Sequence, residues 1–155
     1  MKKTNAIRLL DKKKVKYKLV EYHYDPNNLD VKLIAKENDL PVEVVFKTLV
    51  LSGDKTGTFV VLVPGDKELN LKAAAKLSRN KKVKLLPVKE IEGITGYIRG
   101  GCSPLGMKKS FPTYADASLE DLDFFYVNAG VRGILVGLAP NDLKKVVRIT
   151  CGKIC

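Results

Sequence analysis

Two apolar runs of strand length, joined by a turn with glycine at both ends, constrain this chain most. Phe46 to Leu51 is apolar apart from Lys47 and Thr48. Thr58 to Val63 is almost wholly apolar until it meets Pro64. Between them, Ser52-Gly53-Asp54-Lys55-Thr56-Gly57 has the chemistry of a hairpin loop. Proline cannot donate to a ladder, so Pro64 marks the end of the second strand. A hairpin is therefore expected here.

Other elements gather around it. Thr4 is placed to cap a first helix carrying Ala6, Ile7, Leu9 and Leu10 at helical spacing. Val15, Tyr17 and Leu19 alternate with lysines, which predicts a strand running to Tyr22. Asp25 to Asn28 reads as a loop, Val31 to Ala35 as a second helix, and Pro41 as the start of a short third one. Further helices are expected at Leu71 to Leu77 and from Pro140, with one helical turn at Pro87 to Ile91. Ser118 with Asp121 resembles a capping box for a brief helix. Strands are expected at Val83 to Leu86, Phe124 to Val127, Ile134 to Leu138 and Val146 to Ile149. Some strands are joined by hairpins and others through helices. This favours a mixed α/β fold, with a mixed sheet or small barrel flanked by helices, over a doubly wound parallel sheet. At 155 residues, with no repeat or linker, one domain over residues 1–155 is expected.

Three segments could carry chemistry. Lys47 stands among apolar neighbours on a strand, on the face of Val45 and Leu49 unless a bulge intervenes. A lone buried ammonium is costly, so Lys47 either reaches a ligand in a cleft or escapes to the wet side of the sheet. The second segment lies where Gly93, Gly96, Gly100, Gly101, Pro104 and Gly106 fall within fourteen residues. It reads as a shaped loop, either a tight structural turn or a set of exposed main-chain N–H groups able to hold a developing oxyanion. The third, Asn128-Ala129-Gly130-Val131-Arg132-Gly133, joins two strands and suits either anion binding or a positive-φ turn.

Other chemistry finds less support. Cys102 would need a base to act as a nucleophile, and His23 is the one histidine. That scarcity of histidine argues against a transition-metal site, and no serine elbow is present. The three cysteines match neither a zinc pattern nor a disulfide framework. Cys151 and Cys155 could bridge only if the tail folded back, and a reducing cytoplasm is the simpler setting. Met1-Lys2-Lys3-Thr4 leads into a helix without a signal-peptide core, and no apolar run is long enough to span a membrane. The 28 lysines and arginines against 17 acidic residues give a net charge of +11. Such a field draws polyanions, nucleic acid first among them. Clusters at Lys12 to Lys18, Lys81 to Lys84, Lys108-Lys109 and Lys144-Lys145 would track a phosphate backbone if the fold brought them together.

Taken in order, Val45 to Leu49, Thr95 to Gly106 and Val127 to Gly133 resemble segments of the YbaK-type prolyl-tRNA editing family, with Leu69 to Ala75 and Asp25-Pro26 also similar. The branch most resembled is that of the Cys-tRNA(Pro) deacylases. The resemblance implies a mixed β-barrel-like sheet surrounded by helices. It also implies a hydrolase that clears a wrong amino acid from tRNA in trans, because a hydrophobic synthetase pocket rejects smaller analogues only modestly. By that resemblance, Lys47 holds the terminal adenosine and its phosphate, and the Gly100-Gly101 backbone approaches the aminoacyl carbonyl. Tyr22, Thr48, Cys102, Ser103, Pro104, Gly106, Asn128, Gly130, Arg132 and Gly133 fall at substrate-binding positions. For a cysteinyl ester the substrate's own thiol attacks, so no protein nucleophile, metal or organic cofactor is implied. Asn128 stands where many members have serine, and Leu135 where some have aspartate. Cysteine is the first expected substrate and alanine the second. tRNA(Pro) carrying the wrong amino acid is the expected partner, with prolyl-tRNA synthetase a further candidate. A tRNA-binding module without catalysis is the rival of a different class.

Overall fold

The computed structural model describes residues 3–155; Met1 and Lys2, part of the start read as lacking a signal sequence, lie outside them. In chain order the elements are α1 (Asn5–Lys12), β1 (Lys18–Glu21), α2 (Val31–Glu37), β2 (Phe46–Gly53), β3 (Gly57–Pro64), α3 (Leu71–Ser78), β4 (Val83–Leu85), α4 (Val88–Thr95), β5 (Thr113–Asp116), β6 (Phe125–Asn128), β7 (Ile134–Leu138), α5 (Pro140–Val146) and β8 (Ile149–Gly152). Short 3-10 turns lie at Val42–Val44 and Ala117–Asp121.

The expected hairpin is the spine of the larger sheet. β2 and β3 pair antiparallel from Phe46–Pro64 to Gly53–Gly57, in a five-stranded order β4-β2-β3-β5-β8. β3, β5 and β8 run parallel to one another. A second, antiparallel sheet has the order β1-β7-β6. The two sheets touch through one parallel bridge between Val45 and Tyr126. The fold is thus barrel-like but open, a mixed α/β arrangement as the sequence suggested.

β3 is apolar along its length because both of its faces are covered. Phe59, Val61 and Val63 pack with Ala74 of α3 and with Ile154. Leu62 turns the other way, into the core between the sheets. There Phe46 meets Phe125 edge-on at 5.7 Å, joined by Ile7 and Leu10 of α1 and Leu143 of α5. Thr4 does cap α1: its hydroxyl oxygen accepts from Ile7 N–H at 3.2 Å.

Several expectations need correction. Val15 and Tyr17 precede the strand, which begins at Lys18; the Val15 N–H is spent on the Leu10 carbonyl behind α1. The single turn expected after Pro87 is an eight-residue helix that takes in Gly93 and ends at Gly96 in the left-handed conformation. Ser118 caps nothing; Asp116 accepts from the Ser118 N–H instead. The last strand begins at Ile149 rather than Val146. β5 was not anticipated. Cys102, Cys151 and Cys155 are all free thiols. No helix among the described residues is long and apolar enough to cross a membrane.

Candidate functional site

Where β2 leaves the seam between the sheets, its neighbours change. Val45 packs with Tyr22, Ile34, Tyr126 and Leu135, whereas Leu49 belongs to the cluster around α3. Lys47 lies between these two environments and is half-buried. Its ammonium donates to the Lys67 carbonyl at 3.1 Å. Thr48 is one residue on and faces the opposite way. Its hydroxyl oxygen is buried and meets no hydrogen-bond partner among the described residues.

These residues line an open cavity of about 430 Å³. That volume falls within the range of small-molecule sites, roughly 300–1,000 Å³. Tyr22, Lys47, Thr48, Gly100, Cys102 and Asn128 are all on its wall. So is Leu135, whose position the resemblance placed near the pocket, and so are residues not anticipated as site residues: Arg99, the Asn27 to Val31 segment, and the apolar side chains of Ile34 and Val45. The Asn27 to Val31 segment was legible as a loop and helix start. Its position over the cavity depends on α2 docking against Val45, which no local pattern reveals.

Asn128 joins the pieces. It ends β6, and its amide oxygen accepts from Gly130 N–H at 2.8 Å and Val131 N–H at 3.1 Å. Its amide nitrogen donates to the Gly100 carbonyl at 2.8 Å and to the Tyr22 hydroxyl oxygen at 3.1 Å. One side chain thus fixes two loops and a tyrosine, with all its hydrogen-bonding capacity engaged locally. Burial pushes the Tyr22 phenol up, with hydrogen bonds from Gly133 and Asn128 opposing the rise. Since Tyr22 accepts from Asn128, its own proton remains available to a guest in the cavity.

Gly100 has φ +82°, and a Cβ there would stand 2.8 Å from Leu29 Cδ1. Gly101 is glycine for a different reason. A Cβ would lie 3.1 Å from the Arg132 nitrogen and 3.3 Å from Val131, so the two loops touch backbone to backbone. The Gly101 N–H is already given to the Ile98 carbonyl at 2.9 Å. Among the residues on the cavity wall, Leu29, Val31, Arg99, Gly100 and Cys102 have main-chain N–H groups without an acceptor among the described residues.

The remaining anticipated residues are not on the wall itself. Ser103 is fully buried and its hydroxyl accepts from Leu105 N–H at 3.2 Å. Pro104 is buried beside it. Gly106 packs against the Asn5–Ala6 backbone, and Gly130 lies against the Tyr97 ring. Gly133 accepts from Tyr22 N–H at 2.8 Å. Arg132 donates through Nε to the Arg99 carbonyl at 2.8 Å.

Cys102 and His23 are not brought together. His23 is exposed, on the wall of a separate depression with Tyr24 and Asp25. Burial pushes the Cys102 thiol up to about 11, so it is protonated at neutral pH. The cavity offers a cation, two hydroxyls and unpaired main-chain donors. It can bind and polarise an ester.

Residues 25–146 match the aminoacyl-tRNA editing domain family. An Enterococcus faecalis protein named "Putative Cys-tRNA(Pro)/Cys-tRNA(Cys) deacylase EbsC" is 46% identical over 141 residues, covering 91% of this chain and 86% of its own length. A proline–tRNA ligase of Sulfurihydrogenibium sp. is 31% identical over 124 residues, 74% of this chain but 22% of the ligase. A crystal structure described as "a putative trans-editing enzyme for prolyl tRNA synthetase" superposes with a TM-score of 0.78 at 25% identity, covering 89% of this chain and 85% of that one. The chain therefore belongs to the aminoacyl-tRNA editing domain family.

Proposed function

We propose that this protein is an aminoacyl-tRNA deacylase that acts in trans on mischarged tRNA(Pro), with cysteine the preferred amino acid and alanine the second. The observation that carries this reading is that one cavity holds both Lys47 and Gly100, together with two hydroxyls that no protein group fully occupies. The similarity to the enterococcal protein over 86% of its length supports action in trans. The shorter match to a proline–tRNA ligase supports tRNA(Pro) as the carrier and prolyl-tRNA synthetase as its source. The setting is the cytoplasm.

The ester linking an amino acid to the terminal ribose is already activated, so positioning and charge stabilisation suffice. Lys47 holds the phosphate of the terminal adenosine. The N–H groups of Gly100 and Cys102 face the carbonyl oxygen on which negative charge develops. The thiol of a cysteinyl substrate attacks its own carbonyl carbon. A C–S bond forms, the ester C–O bond breaks, and the thiol proton passes to the departing ribose oxygen. The product is a thiolactone, which water then opens. No protein nucleophile is used, consistent with a thiol at Cys102 that stays protonated.

The test is a panel of tRNA(Pro) charged with cysteine, alanine or proline and incubated with purified protein. Cysteine should be released fastest, alanine more slowly, and proline retained. If every ester survives, the protein is a tRNA-binding module and the deacylase reading is wrong.

A further inference from the structure

We propose that Ile98-Arg99 and Val131-Arg132 form one rigid ledge at the rim of the cavity, and that it receives the single-stranded nucleotides preceding the terminal adenosine of a tRNA 3′ end. This rests on the deacylase reading for the identity of the RNA; the ledge itself stands on geometry.

Each loop presents an apolar side chain followed by a cation. Ile98 is 41% exposed and Val131 39% exposed, both high for aliphatic residues of their size. Arg99 is exposed and lines the cavity mouth; Arg132 is half-buried. Neither guanidinium has a carboxylate within ion-pair distance among the described residues. The loops are locked together three times. Arg132 Nε donates to the Arg99 carbonyl, Asn128 ties Gly100 to Gly130 and Val131, and Gly101 lies directly on the Val131–Arg132 backbone. Using Nε for the Arg99 carbonyl fixes the plane of the Arg132 guanidinium and leaves both terminal nitrogens without a partner among the described residues. A planar fork held this way suits a phosphate. Exposed aliphatic surface beside it suits the face of an unstacked base. A duplex would not offer both at once, because its bases are stacked inside. A strand that runs on from an adenosine seated in the cavity meets Arg99 first, since that residue belongs to both surfaces.

The ledge is tested with binding alone, on an uncharged RNA stem-loop ending in single-stranded CCA and on the same stem-loop with a blunt end. The wild-type protein should prefer the overhang by about tenfold or more. Arg99→Gln should weaken overhang binding about fivefold at low salt and flatten the log affinity–log salt slope by about 0.7, the value for one phosphate contact on a single strand. Ile98→Ser should weaken binding severalfold with the slope unchanged, because its contact is apolar. Both side chains are exposed and the Arg99 guanidinium bonds to no protein group among the described residues, so neither change threatens folding. Lys55→Gln, at the far tip of the β2–β3 hairpin, is the control and should change little. Equal binding of blunt and overhang RNA, or a loss in Lys55→Gln matching that in Arg99→Gln, would overturn the ledge. The two proposals fail separately. A protein that releases cysteine while Arg99→Gln binds like wild type retains its deacylase reading and loses the ledge. A protein that leaves every ester intact but binds the overhang through Arg99 does the reverse.

Discussion

Lys47 sits at the part of β2 that lines the cavity, half-buried. Its ammonium is satisfied by a single main-chain carbonyl at an exposed position, so little folding energy depends on it. Lys47→Ala should therefore keep its circular dichroism spectrum and thermal midpoint while losing most of its deacylation of Cys-tRNA(Pro), by about a hundredfold or more if the ammonium holds the terminal phosphate. Unchanged turnover would remove Lys47 from the reaction. Cys102 lies on the same wall with the opposite character. Burial pushes its thiol up to about 11, so it stays protonated at pH 7. It is a small apolar wall residue packed beside Val50, Leu86 and Tyr97.

Elements place these residues through a coupling that runs through Asn128. Asn128→Ala would strand the Gly130 and Val131 N–H groups and the Gly100 carbonyl, at a cost of about 2 kcal/mol for partly buried groups. Urea denaturation should show that loss at an unchanged m-value. Asn128→Asp should recover part of it, because a carboxylate still accepts from Gly130 and Val131. Equal stability in all three proteins would mean that the loops hold together without the amide. The β2–β3 hairpin, α1, α2 and α3 were legible because each carries a local signal: a turn, a cap, or apolar residues at helical spacing. β5 was not. Thr113-Tyr114-Ala115-Asp116 is short and polar at both ends, and it becomes a strand only by pairing in parallel with β3 and β8, which are distant in sequence. The candidate site divides along the same line. Lys47, Thr48 and Gly100 stood out as oddities in their own segments. Arg99 and the Asn27 to Val31 wall became visible only when α2 and the glycine segment were seen to converge. Within the glycine segment the two readings stayed open locally, and the packing shows that Gly101 and Gly106 serve contacts between chain segments.

Across the whole molecule, the far end of the chain is tied down by a buried carboxylate. Asp116 accepts from Ser118 N–H at 3.2 Å and from Ile154 N–H at 3.3 Å, and Ile154 is fully buried under the larger sheet. Burial pushes Asp116 up, but the hydrogen bonds from Ser118 and Ile154 more than reverse this, so its carboxyl rests below the ordinary value. A depressed folded-state value contributes stability that is complete above the unfolded value, about 4, and fades as pH falls through the folded one. Wild type should be more stable than Asp116→Asn at pH 7, and the gap should narrow below about pH 4 in urea titrations. A gap independent of pH would show that the carboxylate's charge is not what secures the tail. A different freedom follows from the bridge between Val45 and Tyr126. The two sheets are joined there main chain to main chain, with Phe46 and Phe125 packed beside the bridge. Leu135, on β7 and on the cavity wall, can accordingly be exchanged for a residue of similar volume with the strand pairing kept, whereas Ile34 also docks α2 against Val45. One scaffold could then be retuned by single wall substitutions to clear a different unwanted amino acid, with its hold on the RNA terminus intact.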